Sequence, residues 1–124
     1  MDNSYFDKNP QKTTSFYAAI VLLTIFFLLS FGIDVTEYAQ HGEINIPSWF
    51  SYVILGIDFL MFFSIIAMFL YKKIGVFLYP FLVIVHLFLH EFYLSTLLYA
   101  DLFNLFAFIG LGLLAIIPKW NFFK

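Results

Sequence analysis

The sequence predicts an all-α fold, a polytopic membrane protein whose four transmembrane helices form a bundle with antiparallel neighbours. The chain of 124 residues is 63 % hydrophobic, 23 % aromatic and only 11 % charged, which is too little polar surface to coat a soluble globule of this size. Four apolar segments each approach the roughly 20 residues that cross a bilayer core of about 30 Å. All lysines fall on one side of the resulting arrangement, so the charge pattern agrees with the apolar pattern.

The apolar segments use most of the chain and leave no room for a soluble domain, so residues 1–124 are predicted to form one transmembrane domain. A cleaved signal peptide is the less favoured interpretation of the first segment, because its apolar run from Phe16 to Phe31 exceeds the usual length of roughly 7 to 15 residues. The predicted spans are residues 14–33, 50–71, 74–94 and 101–118.

The lysines predict the orientation of the bundle. By the positive-inside rule their side of the membrane is cytoplasmic, which places both termini inside and the loop from Glu43 to Pro47 outside. The predicted location is therefore a cell membrane, crossed several times. The absence of arginine suits an AT-rich bacterial genome and favours a bacterial inner membrane. The lysines on the cytoplasmic side are Lys8, Lys12, Lys72, Lys73, Lys119 and Lys124.

Small residues in the second span predict a close helix contact. Gly56, Ser64 and Ala67 fall on one side of that helix, and small side chains let helices approach each other. Asp58 points elsewhere, so the second span is predicted to have protein on two sides.

Ionisable residues within the spans are the first candidates for a functional site, because a charged side chain in hydrocarbon is costly. His86 and His90 are four residues apart and project from one helix face, with Glu91 about 100° away. Such a pair is the geometry by which a helix offers two imidazoles to one metal. The predicted polar intramembrane cluster consists of Asp58, His86, His90, Glu91 and Asn104.

A second polar group is predicted at the outer face. If the first helix continues to Gly42, polar residues spaced by four, three and four positions share one stripe with Ser30. A solvated helix end is the favoured interpretation of this stripe, and a cation-facing ridge is the alternative. The predicted acidic ridge consists of Asp34, Glu37, His41 and Asp101.

Asp58 and His86 are predicted to meet. Counting residues from the bilayer boundaries puts both about 12 Å below the outer boundary, at about 1.5 Å per residue. Their helices are consecutive and joined by a short turn, so they should be neighbours. Two interpretations are equally favoured: a hydrogen bond that fixes the helix register, and a pair that passes a proton.

Three functional classes remain open. The favoured one is an accessory or assembly subunit of a larger membrane complex, which would not be an enzyme and would use its polar residues only to join helices. The second is a small oligomeric transporter or channel with Asp58, His86 and Glu91 as a proton or cation relay. The third is an outer-leaflet metal site of histidines and carboxylates, in which His86 and His90 would bind zinc or iron.

The composition also excludes several functions. Because cysteine is absent, disulfides, thiolate nucleophiles and iron–sulfur clusters are excluded. No cofactor is predicted, and haem is disfavoured because His86 and His90 share one helix. A nucleic-acid partner is not expected from a chain without arginine and with a net charge of −2. The expected partners are the lipid bilayer, other membrane-protein subunits and further copies of the chain.

Overall fold

A computed structural model describes residues 6, 8, 9, 11–40, 42, 43, 46–94 and 99–124, and its regular structure is helical throughout these residues. This confirms the all-α prediction. Beyond its fourth helix the chain continues through a π-helical turn (Phe108–Gly112), a short helix α5 (Leu113–Ile116) and a 3₁₀-helix (Ile117–Phe122). The first four helices are α1 (Thr14–Ala39), α2 (Ser48–Phe69), α3 (Lys73–Leu94) and α4 (Tyr99–Ala107).

Four helices in the described part of the chain are long and apolar enough to cross a membrane. They confirm the prediction of a multi-pass membrane protein on the grounds of length and composition. The candidate spans are Thr14–Ala39, Ser48–Phe69, Lys73–Phe92 and Asp101–Phe122.

The distribution of side chains also suits a lipid environment. Large apolar residues face outward, with Phe92 at 79 % and Phe106 at 69 % exposure. Polar residues lie inside, where helix-to-helix contacts can satisfy them. The buried polar and charged residues are Ser30, Asp34, Ser51, Asp58, Ser64, His86, His90, Asp101, Asn104 and Lys119.

Aromatic contacts define two ends of the bundle. At one end the ring of Tyr71 lies 5.4 Å from that of Phe16 and 5.2 Å from that of Phe123, and we call this the Tyr71 end. At the other, Tyr38 of α1 and Tyr52 of α2 have ring centroids 5.9 Å apart, and we call this the Tyr38 end. The Lys12 ammonium group lies 4.5 Å from the centre of the Tyr71 ring, so it belongs to the Tyr71 end.

A Schellman motif ends α2 and starts the turn into α3. The Lys72 amide donates to the Ala67 carbonyl oxygen at 2.8 Å, and the Tyr71 amide donates to that of Met68 at 3.1 Å. Tyr71 has a φ of 61°, a left-handed conformation that glycine usually supplies. Its ring packs into the aromatic contacts of the Tyr71 end, and the tight turn brings α3 alongside α2.

The predicted seam of small residues is only partly right. Gly56 is exposed, and a Cβ atom built on it would meet nothing within 4 Å, so its place in a close contact is wrong. The close approach lies nearer the Tyr71 end, where a Cβ on Gly75 would come 2.5 Å from the Ser64 carbonyl oxygen and 2.9 Å from the Ala67 Cβ. Small residues on α2 permit a contact, but a glycine on α3 decides where the two backbones meet.

Candidate functional site

Each of the four long helices supplies an ionisable side chain to one buried group. All of these side chains have 0 % exposure. We call this group the polar cluster. Its members are Asp34 from α1, Asp58 from α2, His86 and His90 from α3, and Asp101 from α4.

His86 lies at the centre of the polar cluster and contacts three carboxylates. Its Nε2 atom is 2.5 Å from Asp34 Oδ2, and its Nδ1 atom is 2.5 Å from Asp101 Oδ2. The third carboxylate belongs to Asp58, whose Oδ1 atom is 3.4 Å from Nε2. Asp58 and His86 therefore share one interhelical space, as the depth count predicted. His86 thus joins all three other helices to α3.

His90 occupies the next turn of α3, and its ring centroid is 4.6 Å from that of His86. Its Nε2 atom is 2.7 Å from Asp34 Oδ1 and 3.6 Å from Glu37 Oε2. The two imidazoles therefore share the Asp34 carboxylate, one on each oxygen. His86 and His90 are four residues apart on α3, and Asp34 and Glu37 are three residues apart on α1. Both spacings stack side chains on one helix face, so the two imidazoles face the two carboxylates.

Asp101 is held in place by two donors. His86 reaches one carboxylate oxygen through Nδ1, and the Ser30 hydroxyl donates to the other at 3.2 Å. Ser30 lies one turn before Asp34 on α1, so it reaches α4 from the same face of that helix. Asp101 thereby fixes the ring of His86.

Asp58 is the exception in this network. It is completely buried, yet both of its carboxylate oxygens lack a hydrogen-bond partner in the described part of the chain. The same is true of the Nδ1 atom of His90. Buried polar atoms are nearly always hydrogen-bonded, so the hydrogen bonding of the polar cluster is incomplete at these atoms.

A second polar contact lies one turn further along α4. Tyr79 donates to Asn104 Oδ1 at 2.6 Å, and both residues are 1 % exposed. Tyr79 is seven residues before His86 on α3, so the two side chains lie on one face, two turns apart. That spacing was the available signal for Tyr79, which the sequence analysis missed.

The structure regroups the residues predicted from the sequence. Two members of the predicted acidic ridge, Asp34 and Asp101, lie in the polar cluster, and Glu37 lies at its edge. Asn104 pairs with Tyr79 instead. Glu91 is exposed beside Phe88 and Phe92, on another face of α3, so the structure does not bring it to the other predicted residues. The last member of the predicted ridge, His41, lies outside the described residues.

The short contacts require more protons than neutral imidazoles carry. Three contacts between a ring nitrogen and a carboxylate oxygen lie within 2.7 Å, and each needs one proton between its atoms. Two neutral imidazoles supply two. A third proton, or a cation between the rings and the carboxylates, completes the arrangement. The three aspartates also give the cluster an excess of acidic groups.

Three residues of the polar cluster have the geometry of a metal-binding group. One ligand atom from each of Asp34, His86 and His90 lies within 4.8 Å of the other two, and all three residues are buried. Imidazole nitrogens and carboxylate oxygens are ligands for first-row transition metals, zinc and iron among them.

Fold and site together define a small multi-pass helical membrane protein with a buried cluster of histidines and carboxylates. No protein-family model matches the chain, and the comparisons with curated proteins and with solved structures found no match. Function therefore has to be argued from the site itself.

Proposed function

We propose that this protein binds one divalent first-row transition-metal cation in the polar cluster, with zinc as the best match. The observation that carries the proposal is the Asp58 carboxylate, which is fully buried beside His86 while neither of its oxygens is hydrogen-bonded in the described part of the chain. Burying a carboxylate without a partner is costly, and a bound cation would supply that partner.

One distance in the polar cluster already suits a tetrahedral ion. Tetrahedral zinc with bonds of about 2.0 Å separates its ligand atoms by about 3.3 Å. Asp58 Oδ1 and His86 Nε2 are 3.4 Å apart, close to that separation. The Asp34 oxygens are nearer to the ring nitrogens, at 2.5 and 2.7 Å, and would move outward to admit the ion. The proposed ligands are Asp34, Asp58 and the Nε2 atoms of His86 and His90.

Asp101 supports this assignment from outside the ligand set. A histidine that binds a metal through one nitrogen usually donates its other N–H to a carboxylate or a carbonyl, which fixes the ring. The contact of His86 Nδ1 with Asp101 has this form and leaves Nε2 directed at Asp34 and Asp58.

Metal analysis with matched variants tests the proposal. Wild-type protein, purified in mild detergent and titrated with zinc, should bind one ion per chain. Asp58→Asn should weaken binding by about tenfold or more, because the amide carries no charge. Glu91→Gln is the control, since this exposed acid lies one residue from His90 but outside the cluster. Absence of zinc, iron and other divalent metals after both purification and titration would overturn the proposal.

We also propose that both termini are cytoplasmic and that the Tyr38 end faces outward, in a bacterial inner membrane. The support is the lysine distribution. In intact cells, a cysteine at Glu43 should react with an impermeant thiol reagent, and a cysteine at Lys73 should not. The reverse labelling would invert the assignment.

An accessory-subunit role is the second candidate, and the observation that favours it is that each long helix contributes to the polar cluster. Such a network holds a bundle together without chemistry. In that case another subunit should co-purify, cluster variants should lower stability, and no metal should bind. If no metal binds, the hypothesis of a proton or cation relay remains for Asp58 and His86. Glu91 is then no longer part of that relay.

A further inference from the structure

Glu37 connects the polar cluster to the surface. Its carboxylate lies 3.6 Å from His90 Nε2, while its side chain is 21 % exposed. The five side chains of the cluster have no exposure. Glu37 is also three residues after Asp34 on α1, so the two carboxylates stack on one helix face.

The path toward the Tyr71 end is closed. Tyr79 and Asn104 are hydrogen-bonded to each other on that side, and the Tyr79 hydroxyl also lies 3.5 Å from the Leu23 carbonyl oxygen. Beyond them lies the main apolar core, in which a divalent cation would find no ligands. That core includes Phe16, Met61, Met68, Val76, Ile116 and Phe123.

The cover toward the Tyr38 end is thinner. It contains a small apolar cluster of Ile46, Phe50 and Ile54, and the Phe50 ring lies 6.5 Å from the His90 ring. Sideways, Asp58 lines a groove of about 270 Å³, whose other walls are apolar side chains of α1 and α2. A hydrated cation would not enter from hydrocarbon through such walls.

We propose that the metal site exchanges its cation only with the Tyr38 end, and that Glu37 passes the ion between water and the ligands Asp34 and His90. This inference rests on the proposed metal-binding function. The carboxylate of Glu37 can hold the ion while water molecules leave it one at a time, so it speeds both loading and release. The site is then a one-sided receptor for the cation and conducts nothing across the membrane.

Exchange kinetics test the role of Glu37. Zinc loading, and zinc release to a chelator, are measured by stopped flow on purified protein. Glu37→Gln should slow both rates by about tenfold and leave one zinc per chain, Glu37→Asp should restore part of the rate, and Glu43→Gln, an exposed acid near the same end, should behave like wild type. Unchanged rates in Glu37→Gln would overturn the role of Glu37, whereas a wild-type protein that binds no zinc would overturn the proposed function itself.

Proteoliposomes of mixed orientation test the one-sided access. Zinc added outside should load only the molecules whose Tyr38 end faces outward, in the fraction that reacts with an impermeant thiol reagent through a cysteine at Glu43. Detergent should then expose the remaining sites. A zinc indicator in the vesicle interior should stay silent until an ionophore is added. Loading of all sites before detergent, or a rise of the indicator without ionophore, would overturn the one-sided access.

Discussion

At the Tyr71 end the bundle is held by aromatic rings, and among the described residues Lys12, Lys73 and Lys119 lie over such rings. Lys12 lies 4.6 Å from the Phe69 ring centre, and Lys73 lies 5.4 Å from that of Trp120. Toward the Tyr38 end the buried ionisable groups are the carboxylates and imidazoles of the polar cluster. These lysines keep their ammonium groups beside polarisable rings, while the buried carboxylates contact two imidazoles and, at Asp101, the Ser30 hydroxyl.

This difference separates two tasks within one small bundle. Ring packing buries a large apolar area and needs no ligand, so the Tyr71 end contributes stability. A buried cluster with three acids and two imidazoles is completed by protons or by a cation, so under the proposed function the other region contributes binding. Variants in the two regions should therefore affect different measurements.

The largest effect is expected from Phe123→Ala at the Tyr71 end. Phe123 is 4 % exposed and packs against Tyr71 and Trp120, so its removal leaves a cavity that should cost about 3 kcal/mol of unfolding free energy. Denaturation in detergent measures that loss. Zinc affinity should stay the same, because the polar cluster lies far from the cavity. A parallel fall in affinity and stability would show that the two regions are not separate.

Asp34→Asn should have the next largest effect, on binding. Asp34 contacts both imidazoles, so losing its charge should weaken zinc binding by about 100-fold, or about 2.7 kcal/mol. Competition with a chromogenic chelator measures the affinity. Thr36→Val is the control, because Thr36 is exposed and its hydroxyl donates to the Gly32 carbonyl of its own helix. Wild-type affinity in Asp34→Asn would remove Asp34 from the ligand set.

Gly75→Ala should cost about 2 kcal/mol of stability, since its methyl group would lie 2.5 to 2.9 Å from backbone and side-chain atoms of α2. Gly56→Ala is the matched change on α2. It has open space around it and should be neutral, or stabilising by up to about 1 kcal/mol through helix propensity. Thermal unfolding compares the two, and equal results would mean that the helices do not approach at Gly75.

The smallest effect is expected from Asp101→Asn. Because Asp101 only fixes the His86 ring, zinc affinity should fall by about tenfold, or about 1.4 kcal/mol. The ¹⁵N chemical shifts of His86 should also change, since the variant loses the carboxylate acceptor of Nδ1–H. Ser30→Ala, which removes the second donor to Asp101, should do less. A loss as large as that of Asp34→Asn would instead make Asp101 a direct ligand.

Much of the fold could be predicted because hydropathy and helix periodicity are local properties. The number of spans and the meeting of Asp58 with His86 both follow from counting residues along regular helices. Counting residues predicts well how deep a side chain lies in the bilayer, but it predicts poorly which neighbouring helix that side chain faces. Glu91, adjacent to His90 in the sequence, therefore belonged to the predicted cluster although it faces away from it.

The polar cluster itself could be predicted only in parts. Asp34 and Asp101 looked like members of a solvated ridge, because each lies near the end of an apolar run. In the structure α1 does continue past Asp34, to Ala39, but the face that carries Asp34 meets α3, so Asp34 is 2 % exposed. Which helix faces meet is a tertiary property, and two groups that were separate in the sequence therefore became one site.

The division of the polar cluster among four helices has a consequence for biosynthesis. A lone acid near the centre of an inserting helix costs about 2.5 to 3.5 kcal/mol, and Asp58 lies in the middle of α2, so this helix gains stability in the bilayer when its polar partner arrives. α3, which carries both histidines, has the lowest mean hydropathy of the four candidate spans and depends most on helices already made. Asp58 and His86 lie on the hairpin of α2 and α3, which favours their insertion as a pair. Asp101 emerges last from the ribosome, so the polar cluster is complete only after α4 has been made.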